Sequence, residues 1–373
     1  MDDVGYLIAI LRFPPLGPIR CARLRAAFSH WKEVFIASDE ALMNAGIEPN
    51  IAREFVKMRA SLDPERECSL LTSHNVQAIP WEDPRYPALL KTIHDPPPIL
   101  FVRGCLPSPD LPRLAVVGTR KPTPYGQRAV RIIVEPLARQ GMVIVSGLAY
   151  GIDAFAHEAA CQAGGKTLAV LGSGVDAPSV YPAGHQALSE RILASGGAIL
   201  SEFPIGTPAL KFHFPFRNRV IAGLCQGTLV IEAGVTSGAL ITSHAALDDG
   251  REVFAVPGPF DALFSAGPNN LIKMGAHVAT QPDDILSIFR MEPTVCASAL
   301  PIQTKKCSEP DPNLPPASPT ETIILQHLST EPIHADDLAR ELHLPIPTVT
   351  SALLLMEMKG SARQVGGMYY VKG

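Results

Sequence analysis

The middle of this 373-residue sequence predicts a doubly wound α/β domain with a parallel sheet, preceded by a small helical module and followed by a winged helix. Three observations carry that expectation. Between residues 111 and 290 short, continuous apolar runs alternate with amphipathic stretches, the mark of parallel strands covered by helices on both faces. After the first run, Val130, Ile133, Val134 and Leu137 fall at i, i+3, i+4 and i+7, with Arg128, Arg131, Glu135 and Arg139 off that stripe. A proline-rich stretch then sets off a last segment with two short helical stripes.

In chain order, residues 1–70 read as short helices of a helix-hairpin-helix or SAM-like kind. Leu16-Gly17-Pro18-Ile19 and Ala45-Gly46-Ile47 each open an apolar-periodic stretch. Such glycine turns either offer backbone N–H groups to a phosphate or serve helix packing alone, and the sequence leaves both open. Residues 71–290 hold the Rossmann-like domain. Its strands are expected at LAVVG (Leu114 to Gly118), Met142 to Ser146, Thr167 to Leu171, Ala198 to Ser201, Thr228 to Glu232 and Glu252 to Val256. Residues 291–319, with seven prolines from Pro293 to Pro319, form an extended linker. In residues 320–373, Ala335, Leu338, Ala339 and Leu342 make one helical stripe and Val349, Leu353 and Met356 a second. The break at Leu344-Pro345 and a Gly366-Gly367 hairpin before Met368 complete a helix-turn-helix with a wing.

The length suits two or three domains, and 46% hydrophobic with 18% charged residues is enough to build real cores. The seven cysteines include no C-x-x-C pair, so reduced thiols are expected, with no disulfide framework, metal site or cofactor. Asp2 and Asp3 stand where a secretory signal would carry bases, and no apolar run approaches a membrane span, so a cytoplasmic location is expected. A net charge of −4 argues against nucleic acid on average. The average hides an asymmetry: between Leu111 and Val220 eleven bases face six acids.

In a doubly wound sheet the ligand sits beyond the C-terminal ends of the strands. Interest therefore falls on Gly118-Thr119-Arg120 with Lys121, on Ser146-Gly147, on Gly172-Ser173-Gly174, on Ser201-Glu202 and on Glu232-Ala233-Gly234. Arg120 follows a glycine turn at the mouth of a helix, where free N–H groups attract phosphate. The turn GTRKPTPYG is not G-x-G-x-x-G, the second strand ends without an acid for a ribose, and a Walker A loop is missing. Asp153 and His157 lie at i and i+4 on one helix face. No nucleophile or metal ligand accompanies them, which favours a structural histidine, bonded to Asp153 or a loop, over an acid–base pair. The run Lys211-Phe212-His213-Phe214-Pro215-Phe216-Arg217-Asn218-Arg219 mixes cations with aromatics, as single-stranded nucleic acid requires. Some of its phenylalanines are expected to pack inward, and at least one of Arg217 and Arg219 to hold the loop through Glu202 or Glu232.

Seven ordered motifs over some 160 residues resemble the DNA-processing protein A family: VVGTRKPTPYG, SGLAYGIDAFAH, GGKTLAVLGSGVD with Tyr181-Pro182, SEFPIGTPALKFHFPFRNRVIAG, SGALIT, REVFAVPG and SAGPNNLIKMGA. The resemblance implies a non-enzymatic protein that binds and protects single-stranded DNA, forms a homodimer and loads RecA recombinase in natural transformation. Single-strand-binding protein is a further candidate partner. It also implies that Arg120 and Lys211 contact phosphate and Phe214 a base, with Gly118, Thr119, Lys121, Ser146, Gly147, Arg217, Asn218 and Arg219 beside them. Thr119 replaces the family's usual serine, and Cys225 another. Leu271, Ile272 and Val278, near the last strand, are the expected dimer contacts. Two competing readings are weaker. A phosphoribohydrolase-like enzyme resembles P-G-G-x-G-T-x-x-E, absent from residues 232–238, and a winged-helix transcription factor would carry a basic domain.

Overall fold

A computed structural model describes residues 3–291, 318–329, 333–359, 361–366 and 368–372, which fall into two compact units divided between residues 294 and 295. Nine strands of the first unit make one sheet: β1 (Val76–Pro80), β2 (Ile99–Gly104), β3 (Arg113–Val117), β4 (Val143–Ser146), β5 (Thr167–Leu171), β6 (Ala198–Ser201), β7 (Gly227–Val230), β8 (Glu252–Ala255) and β9 (His277–Val278). Their order is β1-β2-β6-β5-β4-β3-β7-β8-β9. From β6 to β9 every neighbour is parallel, whereas β2 pairs antiparallel with both β1 and β6.

All six expected runs are strands. Every residue of β3 to β7 is buried, which is why they read as unbroken apolar runs and not as alternations. Three strands escaped the sequence reading. β1 is buried at two of its five positions and ends in Pro80, β2 follows the loop-like run Pro96-Pro97-Pro98, and β9 is two residues long. The helix after β3 runs over 124–139, and its four stripe residues are buried as the spacing requires. Its middle, Val130–Val134, is a π-helical turn directly ahead of Pro136, whose missing N–H could not complete the regular ladder.

Six short helices from Asp3–Leu11 to Pro64–Ser73 precede the sheet. Their Leu7, Ile10, Leu24 and Phe55 share one continuous core with Leu148, Ala169 and Ile199, so this module packs on the sheet within one unit. Leu16 and Ile47 are buried beside the two glycine turns, and Gly46 has φ +87°, which favours glycine. The second unit has helices Pro319–His327, Ala335–Glu341 and Ile346–Met358 with a sheet of β10 (Ile333–His334), β12 (Tyr369–Lys372) and β11 (Ala362–Gly366), in that order. Leu338, Val349, Leu353 and Met356 fill its core, the winged-helix arrangement. Gly367 of the expected hairpin, Cys296, Cys307 and most of the expected linker lie outside the described residues. The other five cysteines are free thiols, and among the described residues no helix is long and apolar enough to cross a membrane.

Candidate nucleic-acid interface

Strand order reverses between β3 and β7, and the loops leaving their C-terminal ends wall a cleft of about 530 Å³. The turn after β3 is fixed from two sides. Thr119 N–H donates to the Glu232 carbonyl (2.6 Å), and Thr119 O accepts from Ile152 N–H (3.1 Å). A Cβ on Gly118 would lie 2.6 Å from Ile152 Cγ1, so only glycine lets β3, β7 and the Ile152–Gln162 helix converge. The buried Glu232 carboxylate accepts from Thr123 N–H (2.9 Å) and the Thr123 hydroxyl (2.5 Å), tying the start of the 124–139 helix to the end of β7. Arg120 and Lys121 are left exposed on this doubly bonded turn, without an ion-pair partner among the described residues.

The opposite wall is the His213–Gly223 helix and the loop before it. Lys211 is exposed and Phe214 half-buried, and both line the cleft with Arg120, Arg217 and Asn218. The Arg120 guanidinium carbon lies 5.7 Å from the Phe214 ring centroid and that of Arg217 5.9 Å, within cation–π range. Asn218 Nδ2 donates to Gly238 O (3.2 Å), joining this wall to the loop after β7.

Arg217 is 5% exposed and donates from Nη1 to Val170 O (2.8 Å). Gly147 makes room for it: a Cβ there would fall 1.7 Å from Nη1. Burial pushes the guanidinium down to about 10, Asp153 opposing the shift and Arg120 adding to it, so it stays charged at neutral pH. Burial raises the Asp153 carboxyl, against Arg217 and two backbone donors, Gly147 N–H (3.1 Å) and Ala149 N–H (3.4 Å). Of the charged side chains lining the cleft, three are cations and Asp153 is the one acid.

Several expectations need correction. Ser146 is fully buried, and its hydroxyl donates to Val116 O (2.6 Å), so it joins β4 to β3 and offers nothing to a ligand. Arg219 has the loop-holding role expected of one of the two arginines and not a place in the cleft lining: it pairs with Glu202 and with Asp95 (3.3 Å). Asp153 and His157 do not bond each other. The Thr167 hydroxyl donates to Ile144 O (2.8 Å) and so accepts from His157 Nδ1–H (2.7 Å), leaving a neutral, buried, structural histidine. In the aromatic run the ring that packs inward is His213, stacked on Phe203 at 4.0 Å, while Phe212 and Phe216 are exposed. Leu271, expected at a dimer contact, is core, because the Ala266–Lys273 helix turns it under β8; Ile272 is half-buried and Val278 exposed. The sequence reading did not assign to the site Tyr181, from the loop after β5, or Ile241 and Thr242, adjacent on the Gly238–Asp248 helix, because none of them lies at a strand end.

The family model described as DNA recombination-mediator protein A matches residues 77–290, and that of the DprA winged helix domain residues 308–368. The chain belongs to the DNA recombination-mediator protein A family. Protein Smf of Escherichia coli K12 is 38% identical over 329 residues, covering 88% of this chain and 86% of that protein. Among solved members of the family, DNA processing protein A from Streptococcus pneumoniae superposes with TM-score 0.64 at 35% identity, over 76% of this chain and 97% of that one. DNA processing protein A from Helicobacter pylori, solved for its single-stranded DNA binding mode, gives TM-score 0.51 at 26% identity, over 58% of this chain and 95% of that one.

Proposed function

We propose that this chain binds single-stranded DNA in the cleft between the ends of β3 and β7, with Arg120 and Lys211 on phosphates and Phe214 beneath a base. The observation that carries the reading is a half-exposed aromatic ring set among Arg120, Lys211 and Arg217 at the switch point of the sheet. Unpaired bases need a flat apolar face and phosphates need cations, and here the two lie side by side. A duplex keeps its bases stacked away from such a ring. The one acid of the cleft, Asp153, is 7% exposed and its Oδ2 accepts from two backbone amides, which gives it a structural role and disfavours a nucleotide-processing enzyme.

Kinship supports the rest of the reading: the family is described as a recombination mediator, and the H. pylori relative binds single-stranded DNA. On that footing the protein holds and protects an incoming strand and loads RecA recombinase onto it during natural transformation or recombination. It acts as a two-fold dimer through the edge strand β9, where Val278 is exposed, with Ile272 half-buried on the preceding helix. Light scattering that returned the 39.9 kDa of one chain would refute the dimer.

The test is binding of labelled oligo(dT) and of a duplex across a salt titration. Arg120→Ala and Lys211→Ala should each weaken all sequences alike and flatten the log K against log salt slope by about 0.7. Phe214→Ala should cost about 1–3 kcal/mol with the slope nearly unchanged. Equal affinity for duplex and single strand, or full affinity in both cation variants, overturns the proposal.

A further inference from the structure

Resting on the cleft reading above, we propose that Tyr181 is a second base-stacking residue, so that neighbouring nucleotides meet two rings. Its ring centroid lies 5.9 Å from that of Phe214, with the planes 44° apart, so the pair presents two separate faces. Both rings line one depression with Arg120 and Arg217, whose guanidinium carbons lie 5.7 and 5.9 Å from the Phe214 centroid. Tyr150 lines the same depression, held edge-on against His185 (4.7 Å), whose Nδ1 donates to Leu148 O (2.8 Å).

The loop after β5 shows that Tyr181 is presented and not merely left over. Ser173 Oγ donates to Ser179 O (2.7 Å), and Gly174 N–H to Thr207 O (2.9 Å). Asp176 accepts from Gly206 N–H (2.8 Å) and from the Ser179 hydroxyl (2.7 Å). Val180 is buried, yet the next residue turns its ring outward to 50% exposure. Among the described residues the Tyr181 hydroxyl has no hydrogen-bond partner, and with half of the residue open, packing on Phe214 uses only part of the ring. A rigid, half-exposed ring loses little freedom when a base stacks on it, and such stacking tolerates any base.

The experiment uses the full chain with oligo(dT), and with oligo(dT) carrying 5-iododeoxyuridine for photo-cross-linking. Tyr181→Ala should weaken binding by about fivefold to 150-fold, the equivalent of 1–3 kcal/mol per stacked base, with an unchanged salt slope. Tyr181→Phe, which keeps the ring, should bind like wild type, and the wild-type cross-link should map to Tyr181. If Tyr181→Ala folds poorly, the wild-type cross-link decides alone. Full affinity in Tyr181→Ala while Phe214→Ala is weakened overturns this inference and leaves the cleft reading standing. A wild-type protein that does not bind oligo(dT) overturns both.

Discussion

Gly147→Ala should damage the cleft without touching any exposed residue. The added methyl would lie 1.7 Å from Arg217 Nη1, 2.4 Å from Cζ and 2.7 Å from Nη2, whereas ordinary contact begins at about 3.5 Å. The guanidinium must therefore move by more than ~1.5 Å. That shift breaks its 2.8 Å bond to Val170 O and forces a guanidinium that is 5% exposed toward the cleft it lines. Losing a charge-assisted hydrogen bond costs about 1.5–3 kcal/mol, a fall in Tm of roughly 3–12 °C for a unit of this size. The displaced cation also disturbs Phe214, whose ring it faces at 5.9 Å, so oligo(dT) affinity should fall with stability. Calorimetry and fluorescence anisotropy on Gly147→Ala, Arg217→Ala and the double variant make the check. The double variant should be no worse than Arg217→Ala, because the clash needs both side chains. Strictly additive losses, or a Gly147→Ala protein that melts and binds normally, would refute the reasoning.

Arg219→Ala should lower stability by up to about 3 kcal/mol, because it strands the part-buried Glu202 carboxylate, while the folded fraction still binds DNA normally; lost affinity at normal Tm would contradict this. Burial holds the His157 ring down at about 3, so below pH ~6.5 the unfolded chain takes up a proton that the folded chain refuses. Its contribution is complete above that pH and is lost as pH falls toward 3, by up to ~1.4 kcal/mol per unit, and His157→Gln should flatten the stability profile in that window. Deleting residues after Pro319 should leave single-strand affinity within about threefold. From Thr320 onward Arg340, Lys359, Arg363 and Lys372 are outnumbered by six acids, and Lys359 is already paired with Glu321 (2.7 Å). A loss of about a hundredfold would show that the winged helix reads DNA after all.

The sequence by itself determined what depends on neighbours a few positions apart. Runs such as LAVVG and TLAVL announce buried parallel strands, and the stripe from Val130 to Leu137 announces a covering helix, because each element's face repeats within the element. The strand-end rule then pointed to Gly118-Thr119-Arg120, and the mixture of cations with aromatics to the run holding Lys211 and Phe214. What local pattern left open is which way each cation turns. Arg217 and Arg219 sit two residues apart in one aromatic stretch and read alike. The tertiary structure separates them, since two positions along a helix rotate a side chain by about 200°. One meets Val170, 47 residues away and seated beside Gly147; the other meets Asp95, 124 residues away, and Glu202. Tyr181 likewise gains its place from a loop after β5 that joins Phe214 only when the sheet assembles. A side chain's direction in its element is written locally, but what it faces is supplied by residues remote in the chain. Those arrive only through packing of the whole sheet.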